Sequence, residues 1–138
     1  MRLALATLAL IGLASAAQPL TTKLYPEITL KGGEGQVIPD TGVTLLLTGI
    51  TDQRCPPGVD CFWEGMIRAE ITVMTAKQDL TQIVLCNQCE DGEGLATVAG
   101  LTIGLVGLAP STEELAKLGR APLLTDYVLT VNYGPEGG

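Results

Sequence analysis

Hydrophobic and polar residues alternate along most of the chain, with the period of two that is typical of β-strands. Over residues 67–74 one face of the predicted strand is apolar, formed by Ile67, Ala69, Ile71 and Val73. Residues 127–133 repeat this alternation near the end of the chain. Three further runs, at 43–50, 80–86 and 101–108, are apolar on both faces. Such runs are typical of strands that are covered on both sides.

Weaker strands are predicted at 27–30, 36–38 and 95–98, and clusters rich in Gly, Pro, Asp and Asn separate the strands. One segment departs from the alternation, PSTEELAKLG at 110–119. Ser111 followed by Glu114 forms a capping box, and Gly119 is a typical residue after a helix end. We therefore predict one short helix before the last strand.

Seven or eight short strands with one small helix predict an all-β fold. The expected architecture is a single-domain β-sandwich with an immunoglobulin-like arrangement, and a closed β-barrel is the alternative. The domain is expected to span residues 17–138, because residues 1–16 have the pattern of a signal peptide.

The predicted signal peptide has one basic residue, Arg2, then an apolar run at 3–13 and the small residues Ala14, Ser15 and Ala16. Cleavage is expected before Ala17. The apolar run is shorter than the ~20 residues that cross a bilayer, so no membrane span is expected after cleavage. We expect a secreted or periplasmic protein.

The balance of acidic and basic residues restricts the classes of molecule that we expect the protein to bind. The chain has 15 acidic and 8 basic residues and a formal net charge of −7. An acidic surface argues against nucleic acid as a partner. We expect a monomer that contacts an unknown protein or small ligand of the bacterial cell envelope.

The chain contains no histidine, which removes the commonest general base and transition-metal ligand. We therefore predict a protein without enzymatic activity, and we predict no cofactor and no metal. The acidic loop Glu90, Asp91 and Glu93 has the chemistry to bind calcium, but it lacks the spacing of an EF-hand.

Four cysteines in an exported chain indicate disulfide bonds. Three pairings are open for Cys55, Cys61, Cys86 and Cys89. The turn residues Pro57 and Gly58 favour a local bond between Cys55 and Cys61. The Cys-Asn-Gln-Cys segment at 86–89 leaves a redox-active thiol pair and a zinc site as alternatives to a structural bond.

Residues 52–65 carry the pattern D-x-R-C-P-x-G-V-x-C-x-W-x-G. This pattern resembles the signature of a group of small exported bacterial proteins, many of them lipoproteins. The resemblance implies a β-rich domain and supplies no substrate. The chain departs from the group because it has no lipobox cysteine and carries the additional pair Cys86 and Cys89.

Continuing the alternation back from Ile67 places Trp63 on the core side, where we expect it to pack against the disulfide as a core anchor. Phe62 then points the other way and forms an apolar tip with Pro56 and Pro57, unless the helix or the N-terminal segment covers it. Arg54 lies between Asp52 and Asp60, which favours a salt-bridged brace of the turn over a ligand contact.

The leading hypothesis is a non-catalytic binding module of the cell envelope. Its candidate binding residues are Arg54, Asp60, Phe62, Glu90, Asp91 and Glu93. The alternatives are a protease-inhibitor-like protein that presents the Cys55–Cys61 loop and a thiol oxidoreductase that uses Cys86 and Cys89.

Overall fold

A computed structural model describes residues 25–63, 65–90 and 93–137, together with Gly12. The expected signal peptide and its cleavage site therefore lie outside the described residues, apart from Gly12. The described residues form eight strands: β1 (Glu27–Lys31), β2 (Gly35–Val37), β3 (Thr44–Arg54), β4 (Gly65–Met74), β5 (Leu80–Asn87), β6 (Leu95–Val98), β7 (Leu101–Ala109) and β8 (Val128–Pro135).

The strands form two antiparallel sheets of four. The first sheet has the order β1-β8-β7-β6 and the second the order β2-β3-β4-β5. The sheets do not close into a barrel, so the predicted all-β sandwich is confirmed. Within each sheet, strands adjacent in sequence pair as meanders, and β1 joins β8. An immunoglobulin domain connects its strands as Greek keys, so the likeness lies in the two layers rather than in the strand order.

The core lies between the two sheets and follows the alternation of the sequence. In β4, Ala69, Ile71 and Val73 are completely buried, whereas Arg68 and Glu70 are not. Leu45 and Leu47 of β3 and Leu129 and Val131 of β8 face the same core, each with no exposed surface.

β5 differs from the expectation of a strand covered on both sides. It is an edge strand of the second sheet, and its outward side chains Leu80 and Val84 are 69% and 38% exposed. β5 is therefore buried on one face only, although its sequence is apolar on both, because the outer face of this sheet lies toward solvent.

The predicted short helix is present as α1 (Thr112–Ala116). Ser111 accepts a hydrogen bond from the backbone N–H of Glu114, and the Glu114 side chain accepts one from the N–H of Ser111. These two bonds are the reciprocal pair of a capping box. Leu115 is the buried residue of the helix, so it fixes α1 against the end of the sandwich. No helix in the described part of the chain has the length and apolar character needed to cross a membrane.

Candidate functional site

The candidate site is the loop 55–63 together with the polar network at its base. The base is Arg54, the last residue of β3. Its Nε and Nη2 donate hydrogen bonds to the two carboxylate oxygens of Asp52, each at 2.8 Å. Its Nη1 donates to the Leu108 carbonyl at 3.1 Å, and Nη2 donates to the Pro110 carbonyl at 2.8 Å. Arg54 therefore joins the end of one sheet to the end of β7 in the other.

The network continues to the start of β8. The Tyr127 hydroxyl donates a hydrogen bond to Asp52 Oδ2 at 3.3 Å. Burial opposes the charged form of Asp52, but the hydrogen bonds from the Arg54 side chain and backbone outweigh it and lower the pKa of this carboxyl. Burial, and then the charge of Asp52, raise the pKa of Tyr127. At neutral pH the network therefore consists of an ionised pair and a protonated tyrosine.

The network shows that Arg54 is engaged inside the fold. Four of its hydrogen bonds go to protein acceptors, and its side chain is 17% exposed. Within the described residues its ion pair is with Asp52 and none joins it to Asp60. Arg54 thus stabilises the base of the loop. Because its donors are already used within the protein, few of them are left to bind a ligand.

A disulfide between Cys55 and Cys61 closes the loop, with 6.0 Å between the two Cα atoms. Pro57 and Gly58 form the turn between them, and Gly58 has the positive φ of 76° that this position favours. The sequence therefore identified both the local pairing and the turn. The disulfide-closed ring from Cys55 to Cys61 contains no buried residue, so the disulfide bond and the Arg54 network, rather than core packing, hold its shape.

Three apolar side chains of the loop lie in solvent, and we call them the aromatic tip: Val59, Phe62 and Trp63. They are 55%, 102% and 70% exposed, respectively. Phe62 thus lies outward, and neither the helix nor another described segment covers it. The prediction that Trp63 anchors the core is wrong.

The reason for the error lies at Gly65. The chain bends at Phe62 and Trp63, and β4 begins only at Gly65, which has φ of +89°. A Cβ at Gly65 would overlap the backbone of Gln53 and Arg54, so this position requires glycine. Because the backbone leaves the β conformation there, the alternation of β4 cannot be extended to Trp63.

An open cleft of about 510 Å³ lies between the loop and α1. It exposes parts of the Asp52–Arg54–Tyr127 network beside Pro56, Pro57 and Arg120. Arg120 donates to both carboxylate oxygens of Asp126, at 2.7 and 2.9 Å. The hydrogen bond from Arg120 and one from the Leu123 N–H lower the pKa of Asp126 to about 2. Both arginines of the cleft are therefore paired within the protein.

The other predicted site residues lie near the same end of the sandwich. Asn87, the last residue of β5, lines a second cleft together with Cys55 and Gly65. The turn after Asn87 is closed by a disulfide between Cys86 and Cys89, with 5.8 Å between their Cα atoms. Asp60, Glu90 and Glu93 are exposed.

Asp91 lies outside the described residues. Across the described ranges, no group of three or more histidine, cysteine or acidic residues is arranged to hold a metal ion. Of this acidic loop, Glu90 and Glu93 are the described carboxylates, and both are exposed next to the candidate site.

Sequence reasoning missed part of this site. Trp63 and Val59 join Phe62 at the surface, whereas the alternation placed Trp63 inside. The contact of Asp52 with Tyr127 spans 75 positions, and that of Arg54 with Pro110 spans 56, so no local pattern could reveal either. No protein-family model, no curated protein and no solved structure matches this chain.

Proposed function

We propose that this protein is an exported, non-catalytic binding module of the cell envelope that contacts a partner protein through its aromatic tip. The observation that carries the proposal is the exposure of three large hydrophobic side chains that are close in sequence, Val59 inside the Cys55–Cys61 ring and Phe62 and Trp63 directly after it. Large apolar side chains that lie together in solvent are typical of interaction surfaces. Export is supported by the signal-like N-terminus and by the two disulfides, which persist in oxidising compartments.

The loop is suited to binding because much of its order is established before any partner arrives. The Cys55–Cys61 bond restricts the backbone, and Arg54 ties the end of β3 to the opposite sheet. A rigid loop loses less conformational entropy on binding than a flexible one. Tryptophan is also among the residues that most often dominate the energy of protein interfaces.

Charge favours a partner that is both basic and apolar. The chain carries a net charge of −7, and the loop itself adds the exposed carboxylate of Asp60. The nearby Arg54 and Arg120 are neutralised by Asp52 and Asp126. A lysine or arginine of the partner can approach the face of Trp63 in a cation–π contact and at the same time be attracted by the acidic surface.

The test is a selection of random short peptides displayed on phage against the immobilised mature protein. We expect the selected peptides to be enriched in lysine or arginine next to aromatic or aliphatic residues. Trp63 is the only tryptophan, so its fluorescence reports directly on the tip. Synthetic versions of the selected peptides should shift Trp63 emission to shorter wavelength.

The matched control uses another exposed apolar residue. Phe62→Ser should weaken peptide binding at least tenfold, whereas Leu80→Ser, at a side chain that is 69% exposed on β5, should leave it unchanged. Equal loss in both variants, or no enriched peptide, contradicts the proposal. A shift of Trp63 emission on zwitterionic lipid vesicles in place of peptides would assign the tip to a membrane surface and also contradict it.

A second candidate, a protease inhibitor, is favoured by the exposure of every described residue from Pro56 to Cys61. An inhibitor of this kind would present that segment to the active site of a protease. The test is inhibition of a panel of purified serine proteases, with the Cys55→Ser and Cys61→Ser double variant as the loop-opened control. Inhibition that is lost in this variant would favour the inhibitor over the binding module.

A further inference from the structure

A cavity of about 230 Å³ lies on the outer face of the first sheet, away from the loop 55–63. Its lining includes Tyr25, Leu95, Thr102, Asn132, Gly134 and Pro135. The cavity is smaller than the roughly 300–1,000 Å³ of pockets for drug-sized ligands. Its size therefore suits a single ring rather than a large cofactor.

Two glycines allow the walls of this cavity to lie close to the sheet. A Cβ at Gly104 would overlap Asn132 Oδ1 and would lie 3.0 Å from Leu95 Cδ2. A Cβ at Gly134 would overlap the ring of Tyr25. Because both positions are glycine, the Asn132 amide and the Tyr25 ring lie directly over the backbone of β7 and β8.

The polar groups of the cavity are available to a ligand. In the described part of the chain, the side chains of Asn132 and Thr102 form no hydrogen bond. Among the residues that the structure describes, no buried side-chain nitrogen or oxygen lacks a hydrogen-bond partner, so the polar atoms of Asn132 and Thr102 are exposed to solvent. Together they offer an amide donor pair, an amide acceptor and a hydroxyl, and none of the described residues that line the cavity is charged.

This chemistry selects a neutral ligand with hydroxyl groups and an apolar face. Tyr25, Leu95 and Pro135 supply the apolar walls, while Asn132 and Thr102 supply hydrogen bonds. A second depression shares Tyr25, Tyr133, Gly134 and Pro135 with the cavity, so it lies directly beside the cavity. We propose that the cavity binds one ring of a neutral oligosaccharide.

The oligosaccharide site is independent of the aromatic tip. Thr102 lies at the start of β7, whereas Arg54 contacts the carbonyls of Leu108 and Pro110 at its end. Thr102 and Leu108 are six residue steps apart along β7, which is about 20 Å at the rise of a β-strand. Failure of the oligosaccharide site would therefore leave the proposed function of the tip untouched.

The experiment is a titration of the isotope-labelled mature protein with maltotriose, cellotriose and chitotriose, followed by backbone amide NMR. At least one trisaccharide should shift the amide signals of Thr102, Asn132 and Gly134 and leave those of Phe62 and Trp63 unchanged. Asn132→Ala should raise the dissociation constant about tenfold, the effect of one lost hydrogen bond. Thr130→Ala, two residues earlier on the same face of β8, should not change it.

Three results would overturn the proposal: no trisaccharide shifts these signals, Thr130→Ala weakens binding as much as Asn132→Ala, or the shifts appear with N-acetyl-leucinamide and with none of the sugars. The last result would assign the cavity to an apolar side chain of a peptide. The amide spectrum of each variant also shows that it is folded, so a loss of binding is attributable to the site.

Discussion

Two aspartate–arginine pairs lie on the cleft beside the loop, and they have nearly equal geometry in different surroundings. Asp52 and Arg54 approach to 2.8 Å, and Asp126 and Arg120 approach to 2.7 Å. The side chains of the first pair are 10% and 17% exposed, and Arg54 also donates to two backbone carbonyls of the other sheet. Arg120 is 49% exposed, and its remaining bond is to the adjacent residue, Ala121.

The difference shows that the distance between the charges does not determine the structural role of a pair. Removing one member of a largely buried pair leaves a charge and several polar groups without partners, which costs much more than losing an exposed pair. We therefore assign the stability of the loop base to Asp52–Arg54 and only a local role to Arg120–Asp126.

The largest expected effect comes from Arg54→Ala. This change leaves Asp52 without its cation and removes the donors to Leu108 and Pro110, so the free energy of unfolding should fall by about 3 kcal/mol. Urea unfolding followed by circular dichroism measures the change. A loss no larger than that of Arg120→Ala would remove the distinction between the two pairs.

The second-largest loss of stability is expected for Tyr127→Phe. The variant keeps the ring and removes only the hydrogen bond to Asp52, so unfolding should become easier by about 1 kcal/mol. Tyr133→Phe, on the strand that follows Tyr127, is a suitable control, because Tyr133 belongs to the packing around the core and not to the network. Unchanged stability of Tyr127→Phe would show that the tyrosine does not support the base.

The pH dependence of stability should test the pair of Asp52 and Arg54. The pKa of Asp52 is lower in the folded protein, so its contribution is present above the unfolded value of about 3.9 and is lost as pH falls through the folded value. The stability difference between wild type and Asp52→Asn should therefore shrink as the pH falls from neutral to below the unfolded value of about 3.9. A difference that stays constant over this range would contradict the stabilising ion pair.

The smallest loss of stability is expected for Arg120→Ala. The pair with Asp126 is exposed, so the variant should unfold close to the wild-type urea concentration, and about 1 M salt should abolish any remaining difference. Arg54→Ala should keep most of its effect in the same salt. A salt-resistant loss in Arg120→Ala would show that the second pair also braces the fold.

The sequence predicted most of the fold because its signals are local. The alternating segments, the apolar runs and the turn clusters between them identified all eight strands to within a few residues, and Ser111 with Glu114 marked the start of α1. Pro57 and Gly58 likewise marked the turn inside the Cys55–Cys61 ring. These features depend on neighbouring residues, which is why they could be read before the structure.

The features of the fold and of the candidate site that the sequence did not predict depend on contacts between distant segments or on the backbone conformation of single residues. Trp63 lies in the bend before β4 begins at Gly65, so the alternation of β4 does not determine its side, and only the sheet order shows that β5 is an edge strand. Arg54 and Phe62 were both candidate binding residues, although the sequence already favoured a brace of the turn for Arg54. The structure shows that Arg54 braces the fold through Asp52 and through the carbonyls of Leu108 and Pro110, while Phe62 lies in solvent. The proposed binding surface is therefore the aromatic tip without Arg54.

The fluorescence of Trp63 tests the central claim most directly, because it is the only tryptophan of the chain. An exposed Trp63 on an ordered loop predicts an emission maximum in the folded protein close to that of the urea-unfolded protein, with ready quenching by acrylamide. A folded protein whose emission lies at clearly shorter wavelength and resists acrylamide would place Trp63 inside the protein and contradict the aromatic tip.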